Sequence, residues 1–264
     1  MISAKTIDES VAAIATSRNR RIPLEHLPPG GGTLEVGDAY AIQEAFVRSC
    51  GLKVVGYKIG CASRESQALV GASGPFAARI FAPTRFDSPA QILVRDFFSI
   101  GVEAEFGFTM GAPLAPRGPM YGRTEVARAI AAVAPVIEIC DTRLQNWRAA
   151  RIEEIIADNG FHGGLVVGPA IPQWESIDLT HCEVTLSIDG VTRGQGASEG
   201  TLGDPLDGLV WIANELARRG YGLKANDIVA TGTWTGLHFV REPSAVVVAD
   251  FGALGRVELR VRAR

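Results

Sequence analysis

Phe98-Ser99-Ile100-Gly101-Val102-Glu103-Ala104-Glu105-Phe106-Gly107-Phe108-Thr109 alternates without a break. Successive residues of a strand point to opposite faces of a sheet. One face is then Phe98, Ile100, Val102, Ala104, Phe106 and Phe108, entirely apolar, and predicts a strand laid against a core. The other carries Ser99, Gly101, Glu103, Glu105, Gly107 and Thr109: two carboxylates side by side, flanked by glycines that let something approach the backbone closely. Alone, this acidic face fits a solvated strand, whose like charges water screens, and a cation site equally well.

A third acid favours the cation. In Ala134-Pro135-Val136-Ile137-Glu138-Ile139-Cys140, Glu138 is the one charge in an apolar run. An ionised carboxylate there is expensive unless it is paired, protonated or metal-bound, and Arg143 is the ion-pair alternative. Glu103, Glu105 and Glu138, with no obligatory histidine or cysteine, suit a hard cation such as Mg²⁺ or Mn²⁺ rather than zinc. Upstream, Val54-Val55-Gly56-Tyr57-Lys58-Ile59-Gly60 places Lys58 on a strand face with two glycines. It would neutralise the −1 left by three carboxylates and a divalent ion, or hold a substrate carboxylate; a surface lysine is the plain alternative.

Further strands are expected at Gln91 to Val94, Leu165 to Val167, Cys182 to Ile188, Asp227 to Thr233, Ala245 to Val248 and Gly255 to Val261, with a hairpin turn at Asp189-Gly190. Helices are expected at residues 8–17 and 37–49, the second from the spacing of Ala39, Ile42, Ala45, Phe46 and Cys50. A third opens at Asp204-Pro205 and stops at Gly220. Few helices and many strands, without regular βαβ alternation, predict an α+β protein with a mixed or antiparallel sheet. Its expected parts are a helical N-terminal segment, 1–52, packed on a mixed β catalytic core, 53–264.

The 264 residues are 47% hydrophobic and 21% charged, enough apolar surface for a sizeable core. A net charge of −3 gives no footprint for nucleic acid, and Arg18-Asn19-Arg20-Arg21 reads as a solvated face. No run of about 18 apolar residues predicts a membrane span. The first ten residues carry acids where a signal peptide needs an apolar stretch. Cys50, Cys61, Cys140 and Cys182 are widely spaced without a CxxC pair, which fits reduced thiols and a cytoplasmic protein. Cys61 and Cys140 read as small buried hydrophobes. Rossmann and phosphate-loop signatures are absent. Gly196-Ala197-Ser198-Glu199-Gly200 fits GxSxG, with Asp227 and His238 following, but it trails a hairpin arm rather than opening a helix and reads as a chance match.

Gly56-Tyr57-Lys58-Ile59-Gly60, Val102-Glu103-Ala104-Glu105 and Val136-Ile137-Glu138 with Asp141 and Arg143 resemble, as a set, the 2-keto-4-pentenoate hydratase and 4-oxalocrotonate decarboxylase group of the fumarylacetoacetate hydrolase-like superfamily. Ala157-Asp158-Asn159, Leu202-Gly203-Asp204-Pro205-Leu206 and Asp227-Ile228-Val229-Ala230-Thr231-Gly232-Thr233 extend the match, in order, from about residue 38 to the end. The resemblance implies a rolled mixed β-sheet core, Mg²⁺ or Mn²⁺ on Glu103, Glu105 and Glu138, and a homo-oligomer. It implies Lys58 in the active site; Asp158 or His162 is the candidate second acid–base group, and Gly60, Arg79, Asn159 and Thr233 are the expected substrate contacts. The implied reaction is addition of water to a 2-hydroxy-2,4-dienoic acid through a metal-stabilised dienolate, giving a 4-hydroxy-2-oxo acid in aromatic-compound catabolism. Decarboxylation of a 4-oxalocrotonate-type diacid, with Arg79 on the second carboxylate, is the first alternative; acylpyruvate hydrolysis and an inactive keto-acid-binding paralogue follow. Two positions depart from the group's pattern. Phe76 stands where an acid is usual, and Gly160-Phe161-His162 replaces a segment that usually has a small residue and then serine.

Overall fold

The computed structural model describes residues 1–196 and 203–264. Ser198 of the GxSxG stretch and Leu202 lie outside the described residues. In chain order the helices and strands are α1 (Ala4–Arg20), α2 (Val36–Cys50), β1 (Val54–Gly60), α3 (Arg64–Val70), β2 (Phe76–Phe81), β3 (Arg85–Asp87), β4 (Ala90–Leu93), β5 (Gly101–Met110), α4 (Arg123–Arg128), β6 (Ile130–Cys140), α5 (Ile152–Ala157), β7 (His162–Val167), β8 (Val184–Ile188), β9 (Val191–Gly196), α6 (Pro205–Arg218), β10 (Ile228–Ala230), β11 (His238–Phe239), β12 (Ala245–Asp250) and β13 (Arg256–Arg262).

Local chemistry explains the element ends. Ser3 caps α1 by accepting from the Thr6 amide at 3.1 Å, and Asp204 caps α6 by accepting from the Leu206 amide at 2.8 Å, with Pro205 in the first turn. Asp189 and Gly190 both take positive φ, 52° and 75°, as the expected two-residue hairpin between β8 and β9 requires. β10 stops after three residues instead of running to Thr233. Past Ala230 the chain still follows β5, with the Thr231 amide on the Phe106 carbonyl and the Trp234 amide on the Ala104 carbonyl, but Gly232 turns its amide to the Glu105 side chain.

The strands form two sheets. The larger runs β2-β1-β10-β5-β6-β7-β3, with β11 added beside the start of β5. It is mixed, since β1–β10 and β3–β7 are parallel and the other pairs antiparallel. The smaller runs β4-β13-β12-β8-β9. Tyr57, Val102, Ala104, Phe106, Phe108, Ile137 and Val229 on one face of the larger sheet share an apolar core with Leu186, Val247 and Leu259 of the smaller sheet and with Leu209, Ile212 and Leu216 of α6. The apolar half of the Phe98–Thr109 alternation is thus buried as expected from Ile100 to Phe108, while Phe98 precedes the strand and is half-buried. On the opposite face Ile80, Ala134, Val136, Leu165, Ile228 and Ala230 form a small apolar patch. A third cluster joins Ile14 of α1 and Ala39, Ile42 and Phe46 of α2 to Phe76, Ala78 and Phe81 of β2 and to Ile155, Ile156 and Ala157 of α5. The N-terminal helices therefore bury their apolar stripes against each other and against α5, which packs on strand β2.

Candidate metal centre

Register brings the charged residues together. β5 and β6 pair with Glu103 opposite Glu138 and Glu105 opposite Val136. Lys58 pairs with Ala230, and Ala230 in turn with Gly107. Lys58, Glu103, Glu105 and Glu138 therefore rise from one face, the face of the small apolar patch. Lys58, Glu105 and Glu138 are all but sealed from solvent, at 4%, 0% and 1% exposure; Glu103 is partly buried. The Lys58 ammonium donates to Glu138 Oε1. Glu103, Glu138 and Cys140 offer ligand atoms all within 4.8 Å of one another, and the Cys140 thiol lies 3.5 Å from Glu103 Oε2. Glu105 stands outside that set, with its Oε2 accepting from the Gly232 amide at 2.9 Å. Cys140 is buried as expected, and its place two residues beyond Glu138 also brings its thiol to this cluster.

Burial pushes the Glu103 carboxyl up to about 7; the Glu138 charge adds to the effect and Lys58 opposes it. Glu105 is raised well above the ordinary carboxylate range, first by burial and then by Glu138 and Glu103. Burial works against the charge on Lys58, yet the Glu138 carboxylate outweighs it and the ammonium holds its proton more tightly than a free lysine. Glu105 Oε1 and Glu138 Oε2 are shielded from water and have no partner among the described residues. Two orphaned carboxylate oxygens beside crowded like charges are what a divalent cation would satisfy. The residues present fit a hard divalent cation, with the buried Cys140 thiol beside it.

The remaining expected site residues are distributed differently. Asp158 is fully buried, with Oδ1 2.5 Å from Arg143 Nε, and its Oδ2 has no partner among the described residues. His162 bonds through Nε2 to the Thr84 hydroxyl at 2.7 Å, while its Nδ1 is shielded and unpartnered among the described residues. Burial, then Lys58, Arg18 and Arg143, hold its pKa well below the usual histidine value, so the ring is neutral. These contacts run to Arg143 and Thr84, not to the glutamates. The placement of Arg79 corrects the sequence-based expectation. It pairs with Tyr57, one residue from the Lys58–Ala78 pair, and so projects from the other face. There its guanidinium lies 2.6 Å from Glu44 and 2.7 Å from Gln43, over the Tyr221 ring. It is no partner for a carboxylate at the metal centre. The Asn159 side chain is also engaged elsewhere, its Oδ1 accepting from the Arg79 amide and its Nδ2 donating to the Arg79 carbonyl, both at 2.9 Å.

Gly60 and Gly160 make room for Phe76. A Cβ at Gly60 would fall 2.1 Å from Phe76 Cζ, and one at Gly160 would fall 2.7 Å from Phe76 Cε2 and 3.0 Å from Lys58 Cε. The ring, 4% exposed, fills the space between two glycines beside the lysine stem. Gly60 thus faces an aromatic ring instead of an open cavity. Thr233, next to Gly232, has a shielded hydroxyl without a partner among the described residues.

The chain belongs to the family described as fumarylacetoacetate (FAA) hydrolase C-terminal, whose sequence model matches residues 64–262. It is 32% identical to the 2-keto-4-pentenoate hydratase of Burkholderia vietnamiensis (strain G4) over 85% of this chain and 87% of that one. It is 28% identical to the 2-oxo-hept-4-ene-1,7-dioate hydratase of Escherichia coli over 86% and 87%. In fold it is similar to the 4-oxalocrotonate decarboxylase of Pseudomonas putida G7 complexed with magnesium and adipate, with a TM-score of 0.91, 24% identity and 99% of each chain covered.

Proposed function

We propose that this chain is a divalent-metal-dependent hydratase that adds water to a 2-hydroxy-2,4-dienoate to give a 4-hydroxy-2-oxo acid. The observation that carries this reading is the buried, single-faced cluster of Lys58, Glu103, Glu105 and Glu138 with two unpartnered carboxylate oxygens. The hydratases among the relatives supply the substrate class. Mg²⁺ or Mn²⁺, when bound by the glutamates, supplies Lewis-acid polarisation of the substrate's 2-oxygen. Lys58 keeps its proton at Nζ and offers it as a hydrogen bond to the substrate carboxylate or 2-oxygen. The Gly232 amide fixes one oxygen of Glu105 and leaves the other facing inward. Phe76 excludes water from the Lys58 stem. Of the second acid–base candidates, Asp158 is held by Arg143, and His162, whose Nδ1 has no partner among the described residues, is kept neutral by burial and by Lys58, which oppose proton uptake. Thr233 is the remaining candidate for a substrate hydrogen bond. Arg79, paired with Glu44 and Gln43, lends the decarboxylase alternative no support. Four unpaired cysteines accompany a cytoplasmic setting, and no described helix is long and apolar enough to cross a membrane.

The test is to mix the protein with Mg²⁺ and 2-hydroxypenta-2,4-dienoate and follow loss of the diene's ultraviolet absorbance, with the product identified by NMR. Formation of 4-hydroxy-2-oxopentanoate, abolished by a chelator, is expected. No turnover, or faster release of CO₂ from the corresponding diacid, would overturn the assignment.

A further inference from the structure

A cavity of about 590 Å³ opens against the end of α1 and is lined by Arg18, Arg21, Thr84, Asp141, Arg143 and Gly163, among others. None of Lys58, Glu103, Glu105 and Glu138 lines it. Asp141, Arg143 and Arg21 each have a partner there. Asp141 Oδ1 accepts the Phe98 and Ser99 amides at 2.8 and 2.9 Å, and its Oδ2 faces Arg21 at 3.8 Å and Arg143 at 3.7 Å. Arg143 is neutralised by Asp158, and Arg21 donates to the Asp96 carbonyl. Arg18 differs. Its Nε and Nη2 are shielded from solvent and have no acceptor among the described residues, while its guanidinium rests over the Phe46 ring at 5.0 Å.

The two orphaned nitrogens are adjacent. Nε–H and Nη2–H share one edge of the planar guanidinium, the edge that grips two oxygens of a single carboxylate or phosphate in parallel. Buried N–H groups left without an acceptor are costly, and burial, then Arg143, push the Arg18 pKa down to about 9 against the opposing carboxylates of Asp158 and Asp141. The expected solvated face is therefore, at this one arginine, turned inward.

We propose that this cavity is an oxyanion-binding site in which the Nε–Nη2 edge of Arg18 receives two oxygens of one carboxylate, phosphate or sulfate group, with Arg21 and Arg143 supplying the surrounding positive field. Binding involves no covalent step and does not depend on the hydratase reading.

Calorimetric titration of the metal-loaded protein, at ionic strength fixed with chloride, tests it. Phosphate and sulfate form one arm and acetate the other, which separates a free inorganic anion from the carboxylate of a small metabolite. Saturable one-to-one binding in at least one arm is expected. Arg18→Gln should weaken it tenfold or more, Arg18→Lys, which keeps the charge without the fork, should also weaken it, and Arg20→Gln should leave it unchanged. No saturable binding to the wild type in either arm overturns the site. Undiminished binding by Arg18→Gln or by Arg18→Lys overturns the assignment to the Arg18 fork. Should Arg18→Gln not fold, the Arg18→Lys result and the wild-type melting temperature decide: an oxyanion-specific rise, absent with equal chloride, supports the site, and no rise refutes it. Failure of the hydration assay would leave these readings unchanged.

Discussion

Replacing Lys58 with methionine removes the one cation against three clustered carboxylates while keeping the bulk of the side chain. Glu138, 1% exposed, loses the ammonium that it accepts from, and Glu103 and Glu105 lose the charge that lowers their pKa values. Breaking a buried ion pair by deleting one member costs about 3–5 kcal/mol. In a chain of this size each kcal/mol moves the midpoint by about 2–4 °C, so the metal-free variant should melt roughly 6–20 °C below the wild type at pH 8. The deficit has a sign in pH. A carboxyl whose folded-state pKa is raised carries no penalty below its unfolded value of 4.5, and the penalty grows as pH rises towards the folded value of about 7 for Glu103. Without Lys58 that upper limit moves higher. The deficit should therefore shrink at pH 5.5, and saturating Mg²⁺ should shrink it at pH 8. Melting curves at the two pH values, in chelator and in Mg²⁺, read all of this. An unchanged midpoint in chelator at pH 8, or a deficit insensitive to both acid and cation, would refute the electrostatic account of the centre.

In the wild type, cation binding must displace the proton from Glu103, so Mg²⁺ affinity should fall as pH drops below about 7; calorimetry that finds equal affinity at pH 5.5 and pH 8 would contradict this. Gly160→Ala places a Cβ at φ +63° and 2.7 Å from the Phe76 ring. The backbone alone should cost about 1–2 kcal/mol, and a fall in kcat should accompany it if Phe76 and the Lys58 stem are displaced together. Arg143→Met strands the fully buried Asp158 and should cost about 3–5 kcal/mol by urea unfolding, with a cost under 1 kcal/mol counting against the pairing. Arg79→Lys should lower stability through Glu44 and Gln43 yet leave KM for the dienoate within twofold, and a tenfold rise in KM would return Arg79 to the substrate.

Much of the centre was legible because its signal is local. Two acids at i and i+2 between glycines, one acid in an apolar run and one lysine between glycines each announce a bare strand face. Their meeting on the same face depended on register across β1, β10, β5 and β6, which no single segment encodes. Arg79 was misjudged for that reason: all six residues of β2 are buried, so its sequence has no alternation to say which face a side chain takes. α3, α4 and α5, at six or seven residues, are too short for a helical period to stand out. The partners of Asp158 and Asn159 are distant in sequence, and Arg18 has no acceptor for two of its nitrogens among the described residues, so no local reading reaches these arrangements.

The amide of Asn159 holds both backbone groups of Arg79, and Arg79 sits beside the lysine strand. Because neighbouring positions on a strand look in opposite directions, sliding β2 by one residue would swing its whole row of side chains through the sheet. Phe76 would leave the lysine stem and the Arg79 guanidinium would be driven in among the carboxylates. Through those two bonds Asn159 works as a bolt on the alignment of β2, and the site around Lys58 depends on that bolt staying shut.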